Sequence, residues 1–76
     1  MKFRMMDGAE YTGRSYEDVV TSMSKDKLTP AKNLTSYRRA TAKRVAEMYE
    51  VVIDARTDRG FIQSLVDAGL MAKVDA

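Results

Sequence analysis

The sequence predicts an α+β domain in which an N-terminal β-hairpin and three helices pack on a small antiparallel sheet. Residues 2–5 alternate apolar and charged side chains, as a half-buried strand does. Apolar residues then recur at helical spacing in three later segments, and the β-branched run "VVIDA" at residues 51–55 is typical of a buried strand. At this length we expect residues 1–76 to form a single compact domain.

The first elements follow from local signals. Asp7 and Gly8 are the two residues that a type I′ turn favours, so the strand "KFRMM" should return as "AEYTG". Ser15 is a good helix cap, and the apolar spacing after it predicts a first helix over residues 16–24. Pro30 disfavours helix, so residues 25–33 are expected to form a loop with at most one helical turn.

The longest helix is predicted over residues 34–50, capped by Asn33 or Thr35. At 100° per residue its apolar stripe contains Leu34, Thr41, Val45, Met48 and Tyr49, with Tyr37 on the flank.

The strand "VVIDA" should follow, and then a third helix over "DRGFIQSLVDA", which begins after Thr57 and ends before Gly69. The segment "LMAKV" is a candidate for a short closing strand. The predicted order is therefore ββααβα with this C-terminal strand in addition.

Composition argues against catalysis. The chain has no cysteine and no histidine, which removes the commonest metal ligands and the side chain that titrates nearest to neutral pH. It also lacks a glycine-rich phosphate loop, so we expect no enzyme activity, no cofactor and no metal. No apolar segment has the length of a membrane span, and the N-terminus does not resemble a signal peptide, which predicts a cytoplasmic protein. A thin core makes a homodimer worth testing.

The positive charges are concentrated in one region. Residues 25–44 contain seven cations and one carboxylate, whereas the rest of the chain contains six cations and ten carboxylates. A patch of arginine and lysine can bind phosphates or an acidic protein groove, although cations on a long helix can also serve solubility alone. The candidate partner-binding residues are Lys32, Arg38, Arg39, Lys43 and Arg44.

Arg38 is the exception in this set, because it falls on the apolar stripe of the second helix. Burying its charge without a partner would cost several kcal/mol. We therefore expect an ion pair inside the fold, with Asp18 or Asp54 as candidates, and the alternative is an open stripe that meets a partner.

With "MKFRMMDGAEYTG" at its start and "FIQSLVDAGLMAKV" at its end, the chain resembles the small proteins of bacteriophages and mobile elements, in particular the type I-C anti-CRISPR proteins. The resemblance implies a non-enzymatic inhibitor that binds the Cas subunits of a Cascade surveillance complex in the bacterial cytoplasm and blocks its engagement of target DNA. It assigns no site residue, so the binding residues come from the charge pattern. The alternative is a small nucleic-acid-binding regulator whose basic helix lies on the phosphate backbone.

Overall fold

A computed structural model describes residues 1–25 and 33–74 of the chain. Strands β1 (Lys2–Met5), β2 (Glu10–Thr12) and β3 (Met71–Lys73) form an antiparallel sheet in the order β2-β1-β3. Three helices, α1 (Tyr16–Lys25), α2 (Leu34–Tyr49) and α3 (Asp58–Asp67), complete the α+β fold. The predicted fold class and the C-terminal strand are confirmed, and the predicted loop at residues 25–33 lies largely outside the described residues.

The hairpin forms as predicted, with a different turn. Gly8 N–H donates to the Met5 carbonyl and Met5 N–H donates to the Ala9 carbonyl, which encloses a loop of three residues. Gly8 has a φ of +95°, and the Asp7 carboxylate accepts from Ala9 N–H at 2.9 Å. A three-residue loop that ends in a left-handed glycine replaces the two-residue type I′ turn, because the glycine supplies the positive φ one position later.

The helix caps follow the sequence closely. Ser15 accepts from Asp18 N–H at 3.2 Å at the start of α1, Asn33 accepts from Ser36 N–H at 2.8 Å at the start of α2, and Thr57 accepts from Gly60 N–H at 2.9 Å in α3. At the end of α3, Gly69 takes a φ of +79° and Leu70 N–H donates to the Leu65 carbonyl, as in a Schellman motif.

The core lies between the helices and one face of the sheet. Its most deeply buried side chains come from α1 and α3, and they are Val19, Val20, Phe61, Ile62 and Leu65. Phe3 of β1 and Tyr37 of α2 close the core from either side, the latter edge-on to the Phe61 ring at 6.1 Å. α2 is therefore held against the rest of the domain along one stripe, and its other side faces outward.

The predicted strand at residues 51–55 is wrong. Ile53 is buried, yet the segment pairs with no described strand and its backbone groups bond to side chains instead. Asp54 N–H donates to the Ser64 hydroxyl at 3.0 Å, and the Ala55 carbonyl accepts from Arg38 Nε at 3.0 Å. The segment instead buries Ile53 in the core and packs Val51 and Ala55 against it while the chain crosses from α2 to α3.

Candidate partner-binding surface

Helix α2 is amphipathic over its first three turns. Tyr37, Thr41 and Val45 lie on the buried side, and Asn33 fixes where the helix begins. Residues three and four apart lie on one face of a helix, so the positions on the opposite side, such as 39 and 43, point to solvent. This arrangement determines which of the predicted binding residues are accessible.

Three of the predicted binding residues are exposed on the outer side of α2. Arg39 and Lys43 are separated by one helical turn, and Arg44 lies toward the flank. Within residues 1–25 and 33–74 none of the three forms an ion pair or a side-chain hydrogen bond. We call Arg39, Lys43 and Arg44 the α2 basic face. Lys32, the fourth predicted surface cation, lies outside the described residues.

Glu47 is the nearest acid along this face, one turn beyond Lys43. An i,i+4 pair of this kind is the usual way in which a helix neutralises its own cations. No ion pair joins Lys43 to Glu47 in the part of the chain that the structure describes, so the α2 basic face keeps its charge.

Arg38 is part of the fold and contributes little to the surface. Only 7% of it is exposed, and its guanidinium forms an ion pair with Asp58 at the start of α3. The same group donates to the carbonyls of Ala55 and Arg56, at 3.0 and 3.4 Å. The predicted internal ion pair is confirmed in kind, but the partner is Asp58 and neither Asp18 nor Asp54.

Three exposed apolar side chains follow at the C-terminal end of α2, and they adjoin the α2 basic face at Arg44. Met48 is 64% exposed, Tyr49 is 42% exposed and Val52, just beyond the helix, is 93% exposed. Met48 follows Arg44 by four residues, so the two side chains are neighbours on the helix surface. We call Met48, Tyr49 and Val52 the α2 apolar end.

The sequence reasoning missed this cluster, because periodicity placed Met48 and Tyr49 on the buried stripe. The core reaches α2 only as far as Val45, and the last turn of the helix extends past it. Glu50 then takes a left-handed conformation with a φ of 56° and turns the chain away. A signal was present in Glu47 and Glu50, which flank Met48 and Tyr49 with charge, as is more typical of a projecting helix end.

Glu10 of the sheet and Asp54 of the α2–α3 connection form ion pairs with cations that do not belong to α2. Arg4 and Lys2 contact the Glu10 carboxylate at 2.6 and 3.2 Å, and Asp54 pairs with Arg56 at 3.1 Å. The hydrogen bond from Arg4, with a second from Lys2, lowers the pKa of Glu10, and the hydrogen bond from Arg56 lowers the pKa of Asp54. Both carboxylates are thus held ionised, and neither lies on α2.

The described residues contain neither a candidate metal-ion cluster nor a helix that could span a membrane. No group of three or more acidic, histidine or cysteine side chains could hold a metal ion within residues 1–25 and 33–74. No helix in those ranges is long and apolar enough to cross a bilayer. Comparison with known proteins found no matching family, no matching curated protein and no matching solved structure.

Proposed function

We propose that this protein is a non-enzymatic inhibitor that binds the CRISPR Cascade surveillance complex through α2 and blocks its engagement of target DNA. The observation that carries the docking surface is that Arg44, at the edge of the α2 basic face, precedes the exposed Met48 of the α2 apolar end by one helical turn. Cascade as the target comes from the resemblance to type I-C anti-CRISPR proteins. The structure supplies support for a protein partner of acidic surface charge.

The two halves of this surface would contribute differently to binding. Exposed cations steer association over about a Debye length, roughly 8–10 Å, and an exposed ion pair contributes only about 0.2–1 kcal/mol. Burying a methionine or valine side chain contributes about 1.5–3 kcal/mol. Met48 and Val52 would therefore supply most of the affinity, while Arg39, Lys43 and Arg44 select an acidic partner.

The second candidate function is a nucleic-acid-binding regulator that uses the same α2 basic face. Arginine forks match phosphate oxygens, and Arg39 and Arg44, which form no ion pair within residues 1–25 and 33–74, favour this function. Phosphate contacts make no use of exposed apolar side chains. The α2 apolar end consequently favours protein docking over phosphate docking.

The experiment is a mobility-shift assay with guide-loaded type I-C Cascade and its target DNA, preceded by co-purification of the complex with this protein. Wild-type protein should co-purify and prevent the DNA shift. The double variant R39E/K43E should lose both effects without losing its fold, because neither side chain forms a described contact. Lys43→Glu and Arg59→Glu form a matched pair of single charge reversals, on α2 and α3, and only the first should weaken inhibition.

The neutral double variant M48S/V52S separates the two candidate functions. It leaves every charge in place, so phosphate binding would be unchanged, whereas protein docking would weaken by at least tenfold, the equivalent of 1.4 kcal/mol. Free duplex DNA at increasing salt provides the second readout, since a phosphate-binding helix would bind it with steep salt dependence. Failure of wild-type protein to co-purify with Cascade would reject the proposed target.

A further inference from the structure

A second basic surface lies at the end of the sheet, away from α2. There a groove of about 730 Å³ is bordered by the start of β1, the end of β2, the end of β3 and one side of α1. Its charged lining consists of Lys2, Arg14, Lys25, Lys73 and a single acid, Asp18. This volume falls in the range of about 300–1,000 Å³ that is usual for ligand clefts.

The backbone around the groove is well fixed. Gly13 N–H donates to the Met1 carbonyl at 3.0 Å and Val74 N–H donates to the Lys2 carbonyl at 2.8 Å, which extends the pairing of β1 on both sides beyond the strands themselves. The Ser22 hydroxyl of α1 donates to the Thr12 carbonyl at 3.3 Å and joins the helix to the sheet. The four cations therefore project from elements that are tied to one another.

The positive charge of this groove is largely uncompensated. Lys2 shares the Glu10 carboxylate, but Arg14, Lys25 and Lys73 form no ion pair in residues 1–25 and 33–74. Asp18 accepts a backbone hydrogen bond from Arg14 N–H, just before α1, at 3.1 Å, so it has a structural role of its own. A groove with four cations and one committed acid focuses positive potential and attracts anions.

We infer that this groove holds the phosphodiester backbone of a single-stranded nucleic acid. Separate lysine and arginine side chains along a concave surface suit a chain of phosphates, each of which accepts from one cation. The lining contains no aromatic ring, so the groove offers nothing on which bases can stack and would bind the backbone with little sequence preference. The lining also lacks the aromatic anchors that are typical of protein-binding hot spots, in contrast to the Tyr49-containing end of α2. This inference uses no residue of α2 and does not depend on the proposed function.

The test measures fluorescence anisotropy of a labelled 12-nucleotide oligo(dT) with the full chain between 50 and 200 mM salt. Each phosphate contact on a single strand contributes a slope of about −0.7 to the logarithmic salt dependence, so three contacts from Arg14, Lys25 and Lys73 predict about an 18-fold loss of affinity across this range. The variant R14Q/K73Q retains one of the three contacts, so its affinity should start weaker and fall only about threefold across the same salt range.

The matched control is R56Q/R59Q, which removes the same charge from the start of α3, outside the groove and outside α2, and should bind oligo(dT) like the wild type. Far-ultraviolet circular dichroism of both variants checks that they are folded. Three results would overturn the inference: no binding at 50 mM salt, equal binding by R14Q/K73Q and wild type, or an equal loss in R56Q/R59Q. Tighter binding of duplex DNA, or displacement of oligo(dT) by an oligoglutamate of the same charge, would also overturn it, since each would show another ligand to be preferred.

Discussion

Replacing Arg38 by methionine should destabilise the domain strongly, although the other two arginines of α2 are exposed. Methionine keeps the bulk of the side chain but leaves the Asp58 carboxylate and the Ala55 carbonyl without their partner. Breaking a buried ion pair from one side costs about 3–5 kcal/mol. The Asp58 side chain is 21% exposed and lies in the first turn of α3, which stabilises a negative charge, so we expect about 3 kcal/mol, the lower end of that range.

Urea unfolding followed by circular dichroism measures this loss. A domain of this length has a free energy of unfolding of about 4–11 kcal/mol, at roughly 0.05–0.15 kcal/mol per residue, so the variant should be marginal. With a slope of about 1 kcal/mol per molar urea, the midpoint should fall by about 3 M. The control is Arg39→Met, one residue along and exposed, which should stay within about 0.5 kcal/mol of wild type. If Arg38→Met lowers the free energy of unfolding by less than about 1 kcal/mol, the ion pair between Arg38 and Asp58 does not stabilise the packing of α2 on α3.

Two further predictions concern the sheet and its ion pairs. A Cβ at Gly13 would lie 2.5 Å from the Asp18 Cβ and 2.8 Å from the Val19 backbone nitrogen. Gly13→Ala should therefore lower the free energy of unfolding by about 1–3 kcal/mol. A Cβ at Gly69 would meet no described atom, so Gly69→Ala should destabilise the fold only through the positive φ of that position. The lowered pKa of Glu10 means that its ion pairs stabilise the fold above the ordinary carboxylate pKa, about 4.3, and lose their effect as the pH falls through the folded value. A pH series of thermal melts should show this acid decline reduced in Glu10→Gln, and an unchanged decline would contradict it.

Local signals predicted the elements well where one residue controls one hydrogen bond. Asn33 and Thr57 cap their helices, and Gly69 ends α3, because each cap depends only on residues three or four positions away. The outer face of α2 was also predictable, since helical periodicity alone separates Arg39 and Lys43 from the buried stripe. The charge pattern therefore located the exposed cations of this helix correctly.

Features that depend on how far one element reaches past another could not be predicted in this way. The segment at residues 51–55 has the composition of a strand, but Arg38 and Ser64 take up the backbone groups that strand pairing would need. Met48 fits the apolar stripe, yet no element within residues 1–25 and 33–74 extends far enough to cover it. The end-of-sheet groove was equally hidden, because Arg14 and Lys73 come together only when β3 pairs with β1 and α1 packs beside them.

The two basic surfaces should respond differently to salt because their cations have different neighbours. In the groove, no aromatic ring lies beside Arg14, Lys25 and Lys73 among the described lining residues, so binding there would depend mainly on counterion release and should weaken about 18-fold between 50 and 200 mM salt. On α2, docking would bury Met48 and Val52 against the partner, and salt does not screen their hydrophobic contribution to the binding free energy. Affinity for Cascade, measured by the same titration, should therefore fall less steeply than affinity for oligo(dT), and the variant M48S/V52S should lose affinity by a similar factor at both salt concentrations. An equally steep decline for the two ligands would mean that the apolar end of α2 does not take part in docking.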